Sequence, residues 1–216
     1  NHTAGQLSFL LAAGTNWPGA LSAAASTTVR LLAADQLGGP VTLGPGAVLS
    51  LGAHNDTIPS LSLNNATAQS TTGTLTSPAV STSGVSGSII SGKFAVPAGG
   101  TVLDVDNDDA ATDLTISAIV SGAALAKSGE GTALLSGNNT FTSVAINEGA
   151  LIFTGTNTAA VTLNGGVIGG TGSVSTLTSG AAGGGRAPPP RPGGLPRGRG
   201  PGGGGSTLAR GGESGA

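Results

Sequence analysis

"LAKSGEGTALLSGNNTFTSVAINEGALIF", residues 125–153, decides how this chain is read. Short apolar runs are cut at regular distances by Gly, Ser and Asn. The stretch holds one Lys and two Glu, and no His or Cys. Within it, "VAINEGALI" from Val144 has an apolar-x-apolar strand, two turn residues, a Gly and a second apolar stretch. The same shape recurs in "VTLGPGAVL" from Val41, "FAVPAGGTVL" from Phe94 and "VTLNGGVI" from Val161. Alternation at period two marks a strand with one buried face. Gly46, Gly99, Gly149 and Gly166 are expected to turn the chain, because Gly reaches backbone angles that a Cβ makes costly. The second segment carries one extra residue, which a bulge or a looser corner can absorb.

Composition narrows the fold. Of 216 residues, 40 are Gly and 12 Pro; charged residues are 8% and aromatics 2%, with no Cys, Met or Tyr. A wide core is usually filled with Leu, Phe, Met and aromatics. Here Ala, Val, Leu and Ile carry the apolar content, with Phe9, Phe94, Phe141, Phe153 and Trp17 as the aromatics. Such side chains suit a narrow core. Thr favours strands, and Gly and Asn favour tight turns. Without Cys there are no disulfides and no thiolate metal sites. No stretch approaches the roughly 20 apolar residues of a membrane helix. Asn1 begins mid-pattern, so the chain reads as a fragment whose start, with any signal peptide, lies outside it.

At residue 183 the composition changes. Residues 183–216, "GGGRAPPPRPGGLPRGRGPGGGGSTLARGGESGA", hold five of the six Arg and six of the twelve Pro. No apolar period survives, and a disordered tail is expected. The abrupt gain of Gly, Pro and Arg also fits GC-rich codons read out of frame, which the nucleotide sequence would reveal. Residues 1–182 keep Arg30, Lys93 and Lys127 against nine acids, a balance of 3 − 9 = −6. That acidic surface should repel nucleic acid.

Many short strands, Gly corners and imperfect repetition fit either a β-solenoid or an antiparallel sandwich. A sandwich core recruits more aromatics, and its hairpins would show frequent Asn-Gly or Asp-Gly turns. Asn164-Gly165 is the main such pair. The solenoid is therefore the expected fold, and at about 20 residues per coil, residues 1–182 make about nine coils. One segment is ambiguous: in "GALSAAASTTVRLLAADQL", residues 19–37, Ala and Leu favour helix whereas "STTV" favours strand.

The quoted stretch resembles the autotransporter-associated β-strand repeat family. The matching positions are Leu125, Lys127, Gly129, Gly131, Thr132, Leu135, Ser136, Gly137, Asn139, Thr140, Thr142, Gly149 and Leu151. Looser similarity extends over most of residues 30–180, including "AADQLGGPVTLGPGAVLSLGAHNDTIPSLSL" and "GGVIGGTGSV". Ala133 stands where Leu is usual, Phe141 replaces Tyr, and the Gly after the second Thr is missing. The resemblance implies a right-handed, single-stranded parallel β-helix and makes 19–37 strand. In that frame Gly129, Gly131 and Gly137 permit corners, and Leu134 or Leu135 points inward. Asn138 and Asn139 satisfy turn backbone or stack into a ladder with the next coil.

Candidate chemistry is sparse. "LDVDNDDAATDL", residues 103–114, is the acid cluster. Asp104, Asp106 and Asp108 have the 1-3-5 spacing of a calcium loop, but Asp109 stands where Gly belongs and Thr115 where Glu belongs. The plain reading is a solvated corner between two strands. A β-helix polysaccharide lyase or hydrolase would use the 104–113 acids with a base, for which Lys93 and Lys127 are the nearby candidates. His2 and His54 are unaccompanied, although Asp56 could pair with His54. "STTGTLTS", residues 70–77, lacks the regular Thr-x-Thr of an ice-binding face. Asn-x-Thr at Asn1, Asn55, Asn65 and Asn138 is expected by chance in a Thr-rich chain. "GGVIGGTG" has no following helix to bind phosphate.

The expectation is therefore not an enzyme, with no catalytic, cofactor-binding or metal residues assigned. The chain reads as a passenger segment of a bacterial surface-displayed or secreted autotransporter-like protein, associated with the outer membrane. It would act as a stalk and adhesin. Its expected partners are a glycan or host-surface ligand and its own downstream barrel or anchor outside the fragment. No nucleic acid is expected, and the chain reads as a monomer.

Overall fold

The structure, a computed structural model, describes residues 5–10 and 15–180. The chain divides into two units, Asn1–Gly184 and Gly185–Ala216, and the described residues lie in the first. The disordered tail expected over 183–216 falls outside the described residues.

Every described element is a strand, and every strand pairing is parallel. The strands wind into three faces. Face one stacks β1 (Gly5–Phe9), β3 (Thr27–Leu31), β5 (Val48–Gly52), the start of β8 (Thr67–Thr76) and the start of β10 (Ser88–Val96). It continues through β12 (Leu114–Ile116), β14 (Thr132–Leu135), β16 (Ala150–Phe153) and β18 (Val167–Gly170). Face two stacks β2 (Leu21–Ala23), β4 (Val41–Leu43), β7 (Leu61–Asn64), β9 (Ala79–Ser83) and β11 (Thr101–Val105). The ends of β13 (Ile119–Ser128) and β15 (Thr140–Ile146), then β17 (Ala160–Leu163) and β19 (Thr176–Ser179), complete it. Face three is built from β6 (Asp56–Thr57), the ends of β8 and β10, and the starts of β13 and β15. Bridges from Trp17 to Leu37 and from Asn139 to Asn157 extend it.

This is the β-solenoid that the alternation predicts, with about nine coils. At the usual strand spacing of about 4.8 Å the stack is about 40 Å tall. Each strand returns to its own face by crossing the other two, a parallel crossover that is right-handed in nearly all proteins. Residues 19–37 contain β2 and β3 and no helix.

The core follows from the register. Because side chains alternate across a strand, one residue in two points inward and meets its equivalent in the next coil. On face one Val29, Leu49, Ala68, Ile90, Ile116, Leu135 and Phe153 form one such column, all buried. On face three Leu75, Phe94 and Val120 form another. Leu135 is the inward residue of its pair and Leu134 lies half-exposed outside. Ala133 is fully buried between Leu114 and Leu151, so its small side chain is matched by larger neighbours above and below.

The corner between faces two and one explains the recurring Gly. Gly46, Gly149 and Gly166 sit there with positive φ of 70°, 63° and 57°. Gly129 joins them at 74°, and Ser26 and Asn65 hold the same bend at 58° and 47°. The segment from Phe94 corrects the sequence reading. It turns from face three to face two, at a different corner, and the left-handed residue is Gly100 (φ 90°) rather than Gly99. The extra residue moves the bend one position along, where the Gly100 N–H donates to the Pro97 carbonyl at 2.8 Å.

Coil length is not constant. Hydrogen bonds between neighbouring coils join residues 20 apart at Gln36–Asp56, 25 apart at Leu103–Ser128 and 17 apart at Asn147–Asn164. The middle coils are wider: Ser77 and Thr101 are already 24 apart, and in the coil that follows, the loop 106–113 replaces a three-residue corner with eight residues.

Phe94→Ala should lower unfolding stability by about 3–5 kcal/mol in denaturant titration, because the ring is fully buried and both stacking neighbours stay in place. Gly149→Ala should cost about 1–3 kcal/mol, since its Cβ would press on the carbonyls of Gly129 and Gly131 in a left-handed bend. Ser26→Gly at the equivalent bend should change stability by less than about 1 kcal/mol.

Candidate functional site

The acid cluster begins on β11 and runs into the loop after it. Asp104 points outward from face two, and Asp106 and Asp109 are exposed. Asp113 is buried and serves the fold. Its carboxylate accepts the Asp108 N–H at 3.0 Å and the Thr132 N–H at 2.7 Å, which ties the long loop to the next coil. Burial and the neighbouring carboxylates of Asp113, Asp106 and Asp109 push the Asp108 carboxyl up. Among the described residues no three His, Cys, Asp or Glu side chains are arranged to hold a metal ion. The 1-3-5 spacing of Asp104, Asp106 and Asp108 therefore does not fold into a ligand shell.

Lys127 occupies an inward position. Its column on face two runs Leu21, Val41, Leu61, Val80, Leu103, Lys127, Ile146 and Leu163. The side chain is fully buried, and Nζ donates to the carbonyls of Ser128 and Gly129 at 2.7 Å each and of Glu148 at 3.4 Å. Those carbonyls belong to the Gly corner of two successive coils. Desolvation pulls the ammonium pKa down, against Asp104, Asp113 and Glu148, which support the charge. Lys127 is thus an internal clamp on a corner. Lys93 lies on face three, exposed, away from the face that carries Asp104.

Asp56 does not pair with His54. Its carboxylate is buried and accepts the Gln36 N–H at 2.8 Å and the Leu37 N–H at 3.2 Å from the preceding coil. Desolvation raises its pKa, and those N–H bonds oppose the rise. Asp56 and Asp113 carry one signal in common that sequence reading passed over. Each stands at the start of a strand, Asp113 directly before the buried Leu114 and Asp56 two positions before the buried Ile58. His2 and Asn1 fall outside the described residues.

Asn138 and Asn139 satisfy backbone of neighbouring coils. Asn138 Oδ1 accepts the Thr156 N–H at 3.3 Å, and Asn139 Oδ1 accepts the Val120 N–H at 3.0 Å. Asn139 bridges Asn157 of the next coil through backbone, and both side chains are buried without an amide-to-amide hydrogen bond between them. Asn65 Oδ1 takes the N–H groups of Val85 and Ser86, and Asn164 donates to Asn147 at 2.8 Å.

The outer surface of face two is the other candidate. Its strands present Ser22, Thr42, Ser62 and Ser81 in one column, and Ser62 and Ser81 share a hydrogen bond at 2.8 Å. A groove of about 350 Å³ runs over Gly100, Val102, Ala126, Ala145 and Thr162. It meets a second, of about 620 Å³, where Ile58, Pro59, Pro78 and Pro97 form an apolar wall beside Asp35 and Asn16. The floor is made of small side chains, so the surface is shallow; its outward column carries hydroxyls as far as Ser81 and continues into Asp104.

The chain matches no family model, no curated protein and no solved structure.

Asp56 yields a pH prediction. Its folded-state pKa lies above the unfolded value, so the folded protein binds the proton more tightly. That contribution to stability is present below the unfolded pKa and is lost as pH rises through the folded pKa. Asp56→Asn should flatten this part of the profile, so its stability relative to the parent should rise from pH 3 to pH 7. Denaturant titrations of both proteins across that range measure it.

Proposed function

We propose that this chain is a non-enzymatic, β-helical passenger-type segment of a bacterial protein displayed at the cell surface or secreted, and that it serves as a stalk. The observation that carries the reading is the uninterrupted parallel stacking of inward columns through about nine coils. A scaffold whose coils each bond to the next extends without cofactors or disulfides, and length is gained simply by adding coils. The repeat resemblance at Leu125–Phe153 supports it, because Lys127, Gly129, Gly149 and Asn139 all serve the fold. The side chains of Lys127 and Asp113 are likewise engaged by backbone groups. Outer-membrane association through a barrel or anchor completes the proposal.

An adhesive role belongs to face two. Its hydroxyl column and shallow grooves suit a neutral glycan, which binds through many modest hydrogen bonds and apolar contacts. The net charge of residues 1–182 disfavours nucleic acid.

Antibody raised against the chain should label intact producing cells, or detect the chain in their medium, without permeabilisation. Labelling that appears only after lysis would overturn surface display. For the adhesive face, a glycan array should show binding that Ser62→Lys with Ser81→Lys reduces at least tenfold; binding unchanged by those substitutions would remove face two from the proposal.

A further inference from the structure

Asn164-Gly165 is the single Asn-Gly pair in the chain. It forms no hairpin. It turns the chain from β17 on face two to β18 on face one, over the corner that holds Asn147 and Glu148. The coil beneath dictates both residues. Asn164 Nδ2 donates to Asn147 Oδ1 at 2.8 Å, which fixes an amide donor at this place in the column. A Cβ on residue 165 would press on the Asn147 carbonyl, so the tight bend admits only Gly. The same arrangement sets a carboxamide beside an unshielded backbone nitrogen. The N–H groups of Asn164 and Gly165 share one acceptor, the Ile146 carbonyl, at 2.9 and 3.1 Å. The Asn164 amide and the Gly165 N–H therefore face the same coil, on one side of the bend. Gly166 follows at φ 57°, so neither residue after Asn164 carries a side chain over the corner. Elsewhere Asn65, Asn138, Asn147 and Asn157 are followed by Ala66, Asn139, Glu148 and Thr158, whose side chains crowd the next backbone nitrogen.

We propose that Asn164 is a self-modifying residue, converted to aspartate and isoaspartate by attack from its own chain. Asn is among the thermolabile residue types, and here the fold supplies the attacking group. The Gly165 nitrogen gives its proton to hydroxide and bonds to Asn164 Cγ. The Cγ–Nδ2 bond breaks, and Nδ2 leaves as ammonia with a proton taken from water. A five-membered succinimide remains. Water then adds to one of its two carbonyls. Opening at Cγ yields Asp; opening at the main-chain carbonyl yields isoAsp, in which the chain runs through Cγ. The sum is one water in and one ammonia out, and nothing is oxidised or reduced. Either product removes the amide donor to Asn147 and puts a carboxylate in its place. IsoAsp also adds a methylene to the main chain within the bend, which shifts β18 against β16. The effect is local, because each coil bonds only to its neighbours. The modification stands independently of surface display.

Ageing the full chain at 37 °C at pH 6 and at pH 8.5, then sequencing its peptides by mass spectrometry, tests the proposal. Asn164 should convert at least tenfold faster than any other Asn, with isoaspartate among the products. Conversion should be faster at pH 8.5, because the attacking nitrogen must lose its proton. Asn164→Gln keeps the amide but would have to close a six-membered ring, so residue 164 should stay unmodified in that variant. Aged chains separated by charge should exchange the amide hydrogens of β18 faster than fresh chains do, with those of β4 unchanged. Another Asn converting ahead of Asn164, equal conversion at both pH values, undiminished conversion in Asn164→Gln, or unaltered exchange at β18 in the aged chain would each overturn the inference.

Discussion

Each coil of this protein is held by the coil beside it. An inward side chain rests on its equivalent about 4.8 Å away, and the backbone groups between them pair in parallel. Neither contact is local in sequence, because the partners are 16 to 25 residues apart. A single coil could bury neither its apolar residues nor its backbone edges. This dependence sets the composition of the core. The space inside three close faces is narrow, so Leu, Val, Ile and Ala fill it, with single rings at Phe94, Phe141 and Phe153. It also explains why stability here should behave as a sum of neighbouring contacts rather than as the property of one central cluster.

The corners carry the polar work. A bend from one face to the next leaves N–H and carbonyl groups without a strand partner, and burial makes that costly. The chain meets the need in three ways. Left-handed residues such as Gly46, Gly149 and Asn65 let the bend close within a few residues. Asn side chains reach to N–H groups of the following coil. Buried ionisable groups take the remaining places, with Lys127 donating to carbonyls and Asp56 and Asp113 accepting from N–H groups. Burial disfavours the charged forms of Lys127 and Asp56, so these clamps exchange part of their electrostatic gain for fixed geometry. A catalytic base or acid is normally free to meet a substrate. These groups are occupied by the scaffold.

The outer surfaces inherit the same periodicity. Any outward residue type that recurs at one coil position becomes a column, so Ser and Thr at alternate positions of face two become a hydroxyl ridge. Small residues beside it leave shallow grooves. The long loop 106–113 interrupts this regularity, and Asp113 is what joins it to the coil that follows.

The sequence by itself determined the strand class, the solenoid and the approximate number of coils, because alternation of Val, Leu and Thr with Gly at fixed distances is a local pattern that reports burial on one face. It also marked Gly46, Gly149 and Gly166 as bends, and Leu135 or its neighbour as inward. Tertiary structure alone decided which corner each segment occupies. "FAVPAGGTVL" has the same local shape as "VAINEGALI" but lies at another corner, since register is set by the coil beneath and not by the segment itself. The same reason hid the roles of Lys127, Asp56 and Asp113. A charged residue looks solvated in sequence, and only the stacking of the next coil shows that it is enclosed and bonded to backbone twenty residues away.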